Sequence, residues 1–329
     1  MELITSKKED GSLLLKRRQF VRRSYHKNVK KSDFLFRADA APHIGIGDLV
    51  SLIKLSEYLD GKKYFIIKDY EASIKLAKSF NLNYFTIDKN ISTKDEVDFI
   101  NKIAKEKEID KLIIEITEKK LSEYTGLEVS KKIAVNFDGQ ICDGLDLVIN
   151  WNSDNMRYST KSLVGYEYAI IDKNFFKIKK DIPTKILVAM GGADEIDMTY
   201  KITKTLLKNK ITDLNVIVGA GYKGKVYELI EPKVNVKDMA NEYRQAKVAI
   251  TAGGLSAIEA VATKTPAILI ANYEHQIKRC KFLAKIGVAK FLGYRGFDEK
   301  RLIESLRGFK IKDYEIKTQK VVDEIFNLG

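Results

Sequence analysis

Residues 251–276 read TAGGLSAIEAVATKTPAILIANYEHQ, and the fold is decided by how this stretch is parsed. The apolar run VAIT at 248–251 stops at Gly253 and Gly254, and a helical pattern begins at once with Leu255 and Ser256. Glu259 falls about one turn into that helix, ahead of a second apolar run, PAILI, at 266–270. A strand that ends on glycines and turns into a helix makes an anion site. The glycines let a ligand approach the backbone, and the helix N-terminus presents unpaired N–H groups and the positive end of its dipole. A carboxylate one turn on accepts from ribose hydroxyls. The same residues also suit a plain strand–turn–helix with a solvated glutamate, since short glycine loops are common punctuation.

Working outward, the chain alternates β and α patterns. An apolar strand at 33–37 (DFLFR) runs into a glycine-containing loop with Gly45 and Gly47, then a helix at 48–59 with Leu49, Leu52 and Ile53 on one side. Strands follow at 64–67, 84–87, 111–116, 133–137 and 146–151 between lysine-rich helices, and the pattern lapses into polar residues at 152–165. A second series starts with KILVAM at 185–190, which enters Gly191 and Gly192. It continues with a helix at 198–208, strands at 215–218, 247–251 and 267–270, and helices at 238–245 and 274–286. Strands alternating with helices of this length predict parallel sheets joined by right-handed crossovers. Two such series predict two doubly wound α/β domains, 33–165 and 166–329, preceded by a basic extension, 1–32. Ligands in such folds sit beyond the carboxyl ends of the strands, where all of these glycine loops fall.

Length and composition agree with two domains. The chain has 329 residues, 45% hydrophobic and 31% charged, with 16 Tyr and 15 Phe for two cores. No apolar run approaches the roughly 18 residues a membrane-spanning helix needs. The polar start, MELITSKKEDGS, does not read as a signal peptide. Cys142 and Cys280 stand alone, as buried thiols of a reducing compartment do, and with only His26, His43 and His275 a histidine-built metal site is not expected. These features predict a cytoplasmic protein with no metal and no cofactor. The formal charge of +13 raises the question of nucleic acid. Yet the segment from Lys16 to Lys31, KRRQFVRRSYHKNVKK, holds eight basic residues and no acid, more than half of the excess. No aromatic RNA-recognition strand accompanies it, so nucleic acid is not the expected partner. The segment reads as a solvated extension or as a weak contact with an anionic membrane surface, with Leu13 to Leu15 as an apolar foothold. Residual positive potential suits a diphosphate substrate.

Five blocks in order carry a family resemblance: FRADAAPHIGIGDLVSLIKLSEYL at 36–59, VGYEYAIIDKNFF at 164–176, ILVAMGGADEID at 186–197, AGGLSAIEA at 252–260, and His275-Gln276. Together they resemble the UDP-sugar hydrolases of pseudaminic acid biosynthesis, which release UDP from UDP-2,4-diacetamido-2,4,6-trideoxy-altrose. The resemblance implies the GT-B architecture, two Rossmann-type domains whose parallel sheets face across a cleft, and covers residue 33 to the C-terminus. It implies that Gly45 and Gly47 lie beside the sugar, Gly191 and Gly192 on the opposite wall, and Gly253, Gly254 and Glu259 around UDP. Gln276 is implied to contact donor sugar and phosphate.

The departures from the family bear on mechanism. Its first loop reads IGxGH, the histidine being the proposed base that activates water at the anomeric carbon; Asp48 stands at that position here. A DxY-like element is matched only by Glu115, Ile116 and Thr117, and an Asn-Gln pair by His275-Gln276. Asp48 opens a helix, where the dipole stabilises a carboxylate by about 0.3–1 kcal/mol. That placement explains it as a helix-start residue, and equally leaves it eligible as a general base, as carboxylates are in inverting glycoside hydrolysis. His275 is either a surface residue or a second catalytic group facing Asp48 across the cleft. Arg37 and Asp39 either bind phosphate or sugar hydroxyls or pair with each other. Asp194 either caps the next helix or helps position diphosphate. Three functions follow: hydrolysis of a UDP-amino sugar in nonulosonic acid biosynthesis, glycosyl transfer from the same donor pocket, or nucleotide-sugar binding without catalysis.

Overall fold

The computed structural model describes residues 32–329 apart from 42, 117–122, 125, 138–143, 178–182, 193, 220 and 329. Before residue 32 it describes only the backbone of a hairpin, strands β1 (Ile4–Lys7) and β2 (Leu13–Lys16), which pair antiparallel. Met1–Lys31 forms one unit and Ser32–Gly329 the other. The basic segment beyond Lys16, with its expected membrane contact, lies outside the described residues, as do His26, Thr117 and Cys142. Among the described residues no helix is long and apolar enough to cross a membrane.

The second unit contains two parallel sheets. The first is built from β3 (Phe34–Arg37), α1 (Gly47–Ser56), β4 (Lys63–Lys68), α2 (Glu71–Ser79), β5 (Tyr84–Ile87), α3 (Thr93–Glu106), β6 (Lys111–Ile114), β7 (Lys131–Val135), β8 (Leu147–Asn150) and β9 (Ser162–Val164). Its order is β5-β4-β3-β6-β7-β8-β9, every neighbour parallel. The second comprises β10 (Lys185–Ala189), α4 (Met198–Lys208), β11 (Leu214–Val218), β12 (Lys233–Val234), α5 (Met239–Gln245), β13 (Ala246–Thr251), α6 (Leu255–Ala262), β14 (Ala267–Ala271), α7 (Gln276–Lys285), β15 (Ala289–Tyr294) and α8 (Glu299–Ser305). Its order is β12-β11-β10-β13-β14-β15, again all parallel. This is the doubly wound, GT-B-like architecture expected from the sequence. Chain order reverses between β3 and β6 in the first sheet and between β10 and β13 in the second. Those reversals open a crevice at the strands' carboxyl ends.

Besides β1 and β2, three strands lie where the sequence predicts none. β9 is a three-residue edge strand within a polar stretch, β12 has two residues, and β15 (AKFLGY) is interrupted by Lys290 and Gly293. Short or broken apolar runs give no clear period-two signal, and pairing with an established neighbour makes them strands. Helix α1 ends at Ser56, a turn before the expected 59.

Both faces of each sheet are covered, as an all-parallel sheet requires. On β3, Phe34 and Phe36 enter one apolar cluster while Leu35 enters another with Ile66, Ile100 and Leu112. On β10, Leu187 and Ala189 join the cluster of Phe34 and Phe36, whereas Ile186 and Val188 pack with Ile202, Leu206 and Leu302. One cluster therefore runs from the first sheet through Leu52, Ile170 and Ile171 to Ile258, Leu269 and Leu283 of the second half.

The last helix, α9 (Thr318–Phe326), returns to the first half. Phe326 meets Phe34 edge-on at 6.0 Å, Lys161 pairs with Glu324 at 2.6 Å, and Thr318 Oγ1 donates to Ala169 O at 2.6 Å. Ile325 is fully buried in the shared cluster. Ile325→Ala should cost about 2–5 kcal/mol, the range for deleting a buried aliphatic side chain, and should lower the urea midpoint without altering its slope.

Candidate functional site

Building the site begins with the glycine turn at the end of β13. A Cβ on Gly253 would lie 2.3 Å from Cys280 Sγ and 2.9 Å from Gln276 Cβ, so only glycine lets the turn rest on α7. Gly254 is the N-cap of α6, and among the described residues no side chain caps this helix start. The starts of α7 and α9 likewise have no side-chain cap, whereas aspartates serve the starts of α4, α5 and α8. Asp194 accepts from Met198 N at 3.0 Å and Thr199 N at 2.7 Å at the start of α4, and Asp238 and Asp298 cap α5 and α8. The α6 start thus has its first N–H groups and the positive end of its dipole uncompensated by a side chain. Burial raises the pKa of Asp194, opposed by those backbone hydrogen bonds.

Beside the turn, after the adjacent strand β10, Gly191 has φ +103°, a conformation costly for other residues, and Gly192 follows it. A Cβ on Gly191, Gly192, Gly45 or Gly47 would meet no atom within 4 Å, so these loops border open space. All four lie at the carboxyl ends of β10 and β3.

Glu259 is 13% exposed and pairs with Lys54 Nζ of α1 at 3.4 Å, a contact that joins the two halves. Burial raises its pKa, partly offset by Lys54. Gln276 is buried; its Oε1 accepts from Asn272 N at 3.0 Å and Tyr273 N at 3.4 Å, while its Nε2 faces Gly254. His275 is an exposed residue at the start of α7 and stacks on Tyr273, centroids 5.7 Å apart. Partial burial of its ring, and then the charge of Arg279, push its pKa down, which favours the neutral imidazole.

Arg37 and Asp39 lie beneath the crevice. Arg37 is fully buried, with Nη2 2.8 Å from Asp39 Oδ2, an ion pair outside hydrogen-bonding angles, and Nε donating to Glu96 Oε1 at 2.5 Å. Asp39 also accepts from Lys68 N at 2.7 Å, and Tyr124 donates to Glu96 at 2.8 Å. Of the two expectations for Arg37 and Asp39 the structure displays the pair, and it does not bring them to the open crevice. His43 lies exposed in the first loop against Tyr70.

Asp48 occupies the first turn of α1, half-buried, and its charge acts on Glu115. Glu115 directly follows β6; its N–H donates to Arg37 O at 3.0 Å and its Oε1 accepts from Asn136 Nδ2 at 2.6 Å. Its carboxyl is buried, and burial first, then Asp48, raise its pKa well above the carboxylate range. Among the described residues no group of three or more His, Cys, Asp or Glu is placed to hold a metal ion.

Arg279, which the sequence reading did not select, ties these parts together. Its Nη1 donates to Gly253 O at 3.1 Å and its Nη2 to Asn152 Oδ1 at 2.8 Å, just after β8. Its guanidinium also lies 5.5 Å from the Trp151 ring and 5.4 Å from the Tyr166 ring. One side chain therefore fixes the glycine turn of the second half to the first. A basic residue four positions after His275 was visible in the sequence, but nothing there distinguished it from the other surface cations of α7.

Comparison with known proteins agrees with this fold. Residues 185–320 match the glycosyltransferase family 28 C-terminal domain. The chain is 27% identical over 282 residues, 78% of this chain and 82% of the relative, to the spore coat polysaccharide biosynthesis protein SpsG of Bacillus subtilis (strain 168). Among solved structures, MurG of Acinetobacter baumannii superposes with a TM-score of 0.64 at 15% identity, over 89% of this chain and 99% of that one. The spinosyn rhamnosyltransferase SpnG, complexed with thymidine diphosphate, gives 0.53 at 10% identity, over 84% and 90%. These structures share the GT-B-like fold.

Because Gly253 has no room for a Cβ, Gly253→Ala should destabilise the protein by about 1–3 kcal/mol, the cost of overpacking a closed site. Denaturant unfolding with intact secondary structure at low denaturant would check this, and an unchanged midpoint would contradict the packing described.

Proposed function

We infer that this chain is an enzyme that binds a nucleoside-diphosphate sugar between its two sheets and breaks the bond from the anomeric carbon to the diphosphate. The observation carrying this reading is the α6 N-terminus, uncapped behind Gly253 and Gly254, at the point where chain order reverses in the second sheet. The neighbouring α4 start is already filled by Asp194. The family 28 match, SpsG's role in polysaccharide biosynthesis and the thymidine diphosphate held by SpnG support a nucleotide-sugar ligand.

In this reading the diphosphate lies on the N–H groups of α6, and Glu259 accepts from the ribose hydroxyls, shared with or released from Lys54. Gln276 Nε2, facing Gly254, meets the phosphate or the sugar. Gly45, Gly47, Gly191 and Gly192 line the sugar's side of the cleft. The five sequence blocks support UDP and a diacetamido-trideoxy-hexose, placed in nonulosonic acid biosynthesis. Asp48 takes the proton from water as water attacks the anomeric carbon, and the bonding pair leaves with UDP, whose charge the helix end stabilises. His275, neutral at the facing wall, orients the sugar. A second reading, transfer of the sugar to another sugar or a lipid, is favoured by the match to a glycosyltransferase domain.

Incubating the protein with a panel of UDP-sugars, with and without acceptors, separates the two readings. Release of UDP with free sugar supports hydrolysis, and acceptor-dependent release supports transfer. Glu259→Ala should weaken UDP binding by about 1–3 kcal/mol, the cost of leaving ribose hydroxyls unpaired, and equal affinity by titration calorimetry would remove Glu259 from the site. Asp48→Asn should lower turnover about 10²–10⁴-fold with UDP affinity kept, as loss of a general base does.

A further inference from the structure

The crevice of the first sheet contains a carboxyl group that the scheme above leaves unused. Glu115 is the first residue beyond β6, beside β3, where chain order reverses. It is 4% exposed, and although Oε1 accepts from Asn136 Nδ2 at 2.6 Å, Oε2 has no hydrogen-bond partner among the described residues. Ser51 of α1 is likewise buried, its Oγ outside hydrogen-bonding geometry with the described residues, and its nearby hydroxyl, like Asn136, opposes the rise in the Glu115 pKa that burial and Asp48 cause. Ser51 lies three residues after Asp48, so both project from one side of α1. Asp48 acts on the Glu115 carboxyl through its charge. The other charged groups of this strand end, Arg37, Asp39 and Glu96, are engaged with one another.

We propose that Glu115 is a positioning residue for Asp48: its Oε2 carries a proton and donates it in a hydrogen bond that holds the Asp48 carboxylate toward the sugar. The proposal rests on the reading of Asp48 as the base. It accounts for a buried carboxyl at a ligand crevice, where an ionised one would lack solvation and would stand beside a second negative charge. It also accounts for the orphaned oxygen, since the donor atom is the one that the protein leaves unpaired. Asn136 donates to Oε1, which fixes the proton on Oε2 and aims it. During the reaction the attacking oxygen bonds to the anomeric carbon, its proton passes to Asp48, the carbon–oxygen bond to UDP breaks, and the pair departs with UDP. The proton of Glu115 stays where it was. Two carboxyl groups with one proton between them serve as one base of fixed orientation.

The first test needs no substrate. In protein labelled with ¹³C at the glutamate carboxyl carbons, the Glu115 signal, assigned by its loss in Glu115→Gln, should titrate well above the ordinary range. In Asp48→Asn it should titrate lower, because the adjacent charge is gone. An ordinary midpoint, or one unmoved by Asp48→Asn, overturns the proposal. The second test uses the UDP-sugar that the panel identifies. As pH rises, Glu115 loses its proton and the pair gains a second charge, so wild-type kcat/KM should fall along an alkaline limb. Glu115→Gln keeps a neutral donor. It should turn over several-fold below wild type without that limb, while Glu115→Leu should lose about 10²-fold, with UDP affinity unchanged in both. An unaltered limb in Glu115→Gln, or Gln as inactive as Leu in a folded protein, overturns the positioning role. Full turnover by Asp48→Asn would instead overturn the base assignment beneath it.

Discussion

The arrangement of the site depends on one continuous apolar cluster that runs through both halves. Phe34, Phe36 and Leu52 of the first half share it with Ile258, Leu269 and Leu283 of the second, through the buried crossover at Ala169, Ile170 and Ile171. Apolar burial is non-directional, so such a cluster fixes how far apart the sheets stand rather than their detailed register. Directional contacts at its margin supply the rest. Lys54 meets Glu259, Tyr58 Oη donates to Ile171 O at 2.8 Å, and Arg279 joins Gly253 to Asn152. The crevice is the part of the boundary that the apolar cluster does not fill.

Around that crevice the polar groups divide into those paired within the structure and those with bonding capacity left over. Asp194 illustrates the first kind: its carboxylate satisfies the N-terminus of α4 and removes that helix end as an anion site. Arg37 illustrates it too. A guanidinium buried completely must be paired, and Asp39 and Glu96 pair it. The start of α6 and the carboxyl of Glu115 differ from these, each with bonding capacity that the described residues do not use.

Much of the architecture was legible because both sheets are parallel. Strands buried on both faces appear as short uninterrupted apolar runs, and KILVA at β10 and AILIA at β14 do so plainly. The edge strands β9 and β12 were not legible, since their neighbours rather than their own residues make them strands. In the site, the glycines of the α6 turn stood out, because chain reversal and close packing demand them. Arg279 and Lys54 did not stand out. A cation within a lysine-rich helix becomes distinctive only when the fold sets Gly253 or Glu259 in front of it. For Arg37 the sequence showed a charge beside Asp39 at a strand end, but not that the strand is central and its end sealed. Glu115 was visible as the acid closing an apolar run, and only burial makes it unusual.

The return of α9 to the first half has a consequence for how the molecule is made. Topologically, everything between the crossover and Thr318 is an insertion into a domain that begins at Phe34 and closes on Ile325 and Phe326. During synthesis from the N-terminus, the first sheet is complete by Val164, yet the patch around Phe34 waits for residues made after the whole second sheet. Contacts so distant along the chain are slow to form, because the loop they close must be ordered before they repay it. The second half, from Lys185 to Ser305, needs no such wait for its own sheet. Assembly of the first half therefore ends after that of the second, when α9 docks against Phe34, Lys161 and Ala169.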